Sequence, residues 1–88
     1  MPSRDPVLYL EDIAENIEAA RGFTQGMSLE EFLSDRRTLY ATVRALEIIS
    51  EATRKVPRGL KDRHPEVQWR DIADAGNVYR HEIGRAHV

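Results

Sequence analysis

Eighty-eight residues with a net charge of −2 and no cysteine bound a single domain, 1–88, with one thin core. Disulfides, thiolate metal sites and thiol catalysis are excluded, and the lack of cysteine fits a reducing cytoplasm. No apolar run reaches the roughly 18 residues of a membrane span, and "MPSRDPVLYLEDIAE" meets carboxylates too early for a signal peptide.

The elements read as helices throughout. Asp5 is the expected N-cap of the first, with Pro6 at its first position. Val7, Leu10, Ile13, Ala14, Ile17 and Ala20 follow at three- and four-residue spacing and form its apolar face, and Gly22 or Gly26 ends it. Ser28 and Glu31 have capping-box spacing, so a short helix starts there. "DRRTLYATVRALEIISEATRKVP" carries the strongest helical pattern, with Leu39, Val43, Leu46, Ile49 and Ala52–Thr53 expected to be buried. Pro57 and Gly59 stop it. "RGLKDRHPEV" reads as a basic linker, and a last helix is expected from about Gln68 to His81 or a little beyond. Nothing alternates with period two for long enough to make a strand, so the fold class is all-α: an up-and-down bundle of about four helices.

On the last helix, Trp69, Ile72, Gly76, Tyr79 and Ile83 share one stripe, the core side. Trp69 is the anchor there, and its indole N–H needs a partner if it is buried. Arg70, Asp74, Asn77 and His81 share a second stripe, spaced four, three and four. Any solvated helix face can look like this. Three features favour a reactive site: Asn77 sits mid-helix beside Gly76, Arg80 adjoins His81, and positive charge gathers in this half. The first 53 residues hold five arginines against ten carboxylates; residues 54–88 hold eight cations against five. An anionic ligand is therefore drawn to the second half, although the whole chain is less basic than a dedicated nucleic-acid binder.

The side-chain types fit metal-independent RNA cleavage. A histidine moves protons near neutral pH, an arginine is a permanent forked donor to phosphate, and an asparagine holds a phosphate or a base. The candidate catalytic residues are His81, Asn77, Arg70 and Arg80, with Asp74 and Gly76 lining the substrate. Asp62, His64 and Glu66 alternate in a loop but lack a zinc spacing, so no metal and no cofactor is expected. His87 is next to the end of the chain, and Arg36–Arg37 read as a solvated pair.

Three stretches together resemble a known family: "YLEDIAENIEAARGF", "SLEEFLSDRRTLYATVRALEIISEA" and "HPEVQWRDIADAGNVYRHEI". The most specific part is P-x-x-x-W-R-x-I leading to N-x-x-x-H. In these the chain is similar to the HepT-like branch of the HEPN superfamily, small helical proteins often paired with a minimal nucleotidyltransferase antitoxin. The resemblance implies a helical bundle that dimerises with its two histidine-bearing helices facing each other. It also implies an RNase whose motif reads Arg-Asn-x-x-x-His-x-Tyr. Asn77 and His81 match that motif, while Gly76 stands at its arginine and Ile83 at its tyrosine. In the family the partner enzyme silences the toxin by AMPylating that tyrosine, and Ile83 has no hydroxyl to modify. Family members also commonly continue into a further helix beyond the motif.

Two functions follow as expectations. The first is an RNase toxin of a HEPN/nucleotidyltransferase pair, homodimeric and cytoplasmic, with RNA as substrate. The second is a catalytically inactive HEPN-like interaction module that binds a nucleotidyltransferase; a ligand-binding helical domain without an RNA role is a third, weaker possibility.

Overall fold

The computed structural model describes residues 5–75, and each helix start in it has a local cause. The Asp5 carboxylate accepts from the Val7 N–H at 3.0 Å, and Pro6, already at a helical φ, opens α1 (Pro6–Thr24). The helix passes through Gly22 and stops at Thr24; Gly26 then turns the chain with φ 77°, a left-handed conformation that suits glycine. In α2 (Leu29–Ser34) the expected capping box is present: Glu31 N–H donates to Ser28 Oγ at 3.1 Å, and Ser28 N–H donates to Glu31 Oε1 at 3.0 Å. Asp35 starts α3 (Arg36–Lys55), its carboxylate accepting from Thr38 N–H at 3.2 Å and from the Thr38 hydroxyl at 2.9 Å. All described regular structure is helical, and among the described residues no helix is long and apolar enough to cross a membrane.

The core lies along α3, against which α1 packs over its length and α2 at one end. Ala20 and Thr24 line a groove with Thr42 and Leu46, which puts the end of α1 beside the first half of α3, as in an antiparallel pair. The buried face of α3 is Leu39, Thr42, Ala45, Ile49, Ser50, Ala52 and Thr53. This differs from the apolar stripe in the sequence, because Val43 and Leu46 are only half-buried. Small side chains let a neighbouring helix come close, and the burial shifts onto Thr42 and Ala45. The two buried threonine hydroxyls cost little there because each has an acceptor inside its own helix. Thr42 donates to Thr38 O at 2.8 Å, and Thr53 donates to Ile49 O at 2.6 Å.

Two elements depart from the reading by pattern. In α1 no residue is fully buried, and Val7 and Ile17, both expected inside, are 52% and 40% exposed. The half-buried side of α1 includes the expected Leu10, Ile13 and Ala20, joined by Tyr9, Asn16 and Ala19. The basic linker also contains a helical turn, α4 (Arg58–Asp62), seeded by Leu60 and Lys61 N–H groups donating to Pro57 O at 3.0 and 3.1 Å. A fifth helix begins at Trp69, one residue later than expected, and is described over residues 69–75 (α5).

Candidate functional site

Two side chains of α3 hold the start of α5. Ser50 Oγ donates to Ile72 O at 3.3 Å, and Arg54 Nη2 donates to Ala73 O at 2.8 Å. A third tie comes from the preceding loop. The Trp69 indole N–H donates to His64 O at 3.0 Å, so the half-buried ring has the partner that its burial requires. His64 Nδ1 in turn lies 3.2 Å from Glu66 Oε2. The backbone N–H of Glu66 itself, and then His64, hold the Glu66 carboxyl below the usual glutamate range.

This frame sets where the sequence candidates stand. Arg70 and Asp74 are both exposed on α5, one turn apart, and neither forms an ion pair among the described residues. Asp74 thus does not pair with Arg70. Gly76, Asn77, Arg80 and His81 lie outside the described residues, as do Tyr79 and Ile83. Arg36 is less plainly solvated than expected. Its Nη2 donates to the Tyr40 hydroxyl at 2.9 Å, and its guanidinium carbon lies 5.7 Å from the ring centre. Among the described residues no three His, Asp or Glu side chains gather as metal ligands do.

Sequence reasoning missed a cleft of about 660 Å³ between the end of α3, α4 and the first turn of α5. Arg54, Arg58, Lys61 and Arg70 line it, with Asp62 the one carboxylate among the lining residues and Trp69 beside them. Arg58, Lys61 and Arg70 have no ion-pair partner among the described residues. Arg54 is engaged by Ala73 O and lies 3.8 Å from Glu51. A signal was available: residues 54, 58 and 61 keep helical spacing, but Pro57 breaks the pattern and made the stretch look like a linker. Four cations in one concavity make an anion-attracting field stronger than the net charge of the chain suggests.

Comparison with known proteins adds to this geometry. The model of the family described as Ribonuclease HepT-like matches residues 13–84. The chain is 51% identical over 65 residues to the "Probable ribonuclease HepT" of Thermococcus cleftensis, an overlap of 74% of this chain and 59% of that one. It is 34% identical over 82 residues to the "Putative RNase MJ1216" of Methanocaldococcus jannaschii, covering 93% of this chain and 68% of that one. A third relative, the "Putative RNase TTE0752" of Caldanaerobacter subterraneus, is 35% identical over 79 residues, covering 90% and 70%. The chain thus spans about three fifths of the first relative and about two thirds of the others. No solved structure matches it.

Proposed function

This chain belongs to the HepT-like ribonuclease family of the HEPN superfamily, and we propose on that premise that it is an RNA-cleaving toxin whose partner is a nucleotidyltransferase antitoxin. The observation that carries the reading is the reach of the family match, 13–84, which takes in Asn77 and His81. In this reading the protein is a cytoplasmic homodimer that needs no metal or cofactor. His81 takes the proton of a ribose 2′-hydroxyl, and the oxygen attacks the adjacent phosphorus. The bond to the 5′-oxygen breaks, and a proton is returned to that leaving oxygen. Asn77 positions the phosphate or base, Arg70 or Arg80 steadies charge on the phosphoryl oxygens, and Asp74 and Gly76 line the substrate. Ile83 offers no hydroxyl, so control by the partner acts through binding or at another residue.

A second reading is favoured by one residue. Gly76 stands where the family pattern has its arginine, and a chain without that guanidinium suits a non-catalytic module that binds a nucleotidyltransferase. A cleavage assay on RNA in excess chelator separates the two. Wild type is expected to cleave, His81→Ala to lose about 100-fold or more, and Gly76→Arg to gain. Undiminished cleavage by the His81 variant ends the first reading; absence of cleavage with a stable nucleotidyltransferase complex establishes the second.

A further inference from the structure

We propose that the cleft formed by α3, α4 and α5 is a binding groove for the phosphodiester backbone of single-stranded RNA, gripped by Arg58, Lys61 and Arg70. This inference rests on RNA being the substrate and names where the strand is held, through residues outside the N-x-x-x-H sequence.

Three observations carry it. First, Arg58, Lys61 and Arg70 face one cleft without an ion-pair partner among the described residues. Like charges gathered in a concavity repel one another, and an anion relieves that repulsion. A chain that needed them only for solubility has no reason to collect them at one place. Second, the cleft has the size of a nucleotide site, about 660 Å³, within the usual 300–1,000 Å³ range for ligand pockets. Third, the aromatic side chain in it is fixed. The Trp69 N–H is already spent on His64 O, so the indole offers its surface and not its donor. A basic groove with an aromatic platform is how proteins hold single strands without reading every base. The acidic first half of the chain adds direction, since it repels a polyanion from α1 and α2 and leaves the cleft as the attractive end. Arg70 belongs both to this groove and to the set of candidate catalytic residues, so a strand in the groove would already touch the proposed site.

The same phosphate chemistry could come from a free mononucleotide, and the test separates the two. The full chain is titrated by fluorescence anisotropy with a 2′-O-methyl RNA of about 10 nucleotides. Its blocked 2′-oxygen prevents cleavage, so binding is measured whether or not the protein is a nuclease. The double variant Arg58→Gln/Lys61→Gln is expected to bind at least about tenfold more weakly at low salt. Its plot of log affinity against log salt should be shallower by about 1.4, two single-strand phosphate contacts at roughly 0.7 each. Arg36→Gln/Arg37→Gln removes the same charge elsewhere and is expected to bind within about twofold of wild type. Circular dichroism confirms that each variant is folded. Any one of three outcomes overturns the proposal: no oligonucleotide binding by wild type, an unchanged salt slope in the cleft variant, or competition by adenosine monophosphate as effective as by the strand. The nuclease reading fails independently, by cleavage that persists in His81→Ala.

Discussion

Asp35 is bonded twice to Thr38, through its backbone N–H and its hydroxyl, and these bonds hold the Asp35 carboxyl below the usual aspartate range. Glu31 is lowered likewise, by the Ser28 backbone N–H first and the Ser28 hydroxyl second. A carboxyl whose folded pKa lies below its unfolded one stabilises the fold above the unfolded value. That stabilisation disappears as pH falls through the folded value. Thermal midpoints should therefore drop below about pH 4, and Asp35→Asn and Glu31→Gln should each flatten the drop in melts recorded by circular dichroism. A midpoint that falls equally in wild type and in both variants contradicts this assignment. Such caps were legible in the sequence because capping is local: Asp5, Ser28 and Glu31 act on residues two or three positions away. The burial of Thr42 was not legible, since a hydroxyl looks solvated until its acceptor inside the helix is known.

At the scale of elements, the buried face of α3 depends on small residues. Ala45 is 3% exposed on that face, where Leu46 beside it is only half-buried. Ala45→Leu should cost about 1–3 kcal/mol by overpacking, while Leu46→Met should cost less than about 1.5 kcal/mol. Urea unfolding of the two variants checks the order, and the reverse order would restore the stripe inferred from periodicity. Helical spacing located α1 and α3 well, because the period belongs to each helix alone, and the capping box located α2. Which arc of α3 faces α1 depends on how closely the two approach, and that is a property of the pair. The single turn α4 escaped notice between Pro57 and Pro65, being too short to show a period.

For the molecule as a whole, exposed Val7 and Ile17 leave α1 with apolar surface that a core this thin can ill spare. If the proposed homodimer uses this side, Val7→Lys/Ile17→Lys should shift the species in sedimentation equilibrium from dimer to monomer, with helicity retained. A dimer of unchanged strength would move the interface elsewhere. Of the candidate site, the sequence offered individual residues as candidates but not their surroundings. Arg70 and Asp74 are exposed as a polar stripe requires, whereas the cleft around Arg70 is assembled by α3, α4 and α5 together. The hold of α3 on α5 has a consequence for how the chain tolerates change. Ser50 and Arg54 grip carbonyl oxygens, so these two bonds do not depend on which side chains residues 72 and 73 carry. The second turn of α5 can therefore drift in sequence while its seat on α3 persists, and substitutions there are free to retune the polar face without re-engineering the scaffold that carries it.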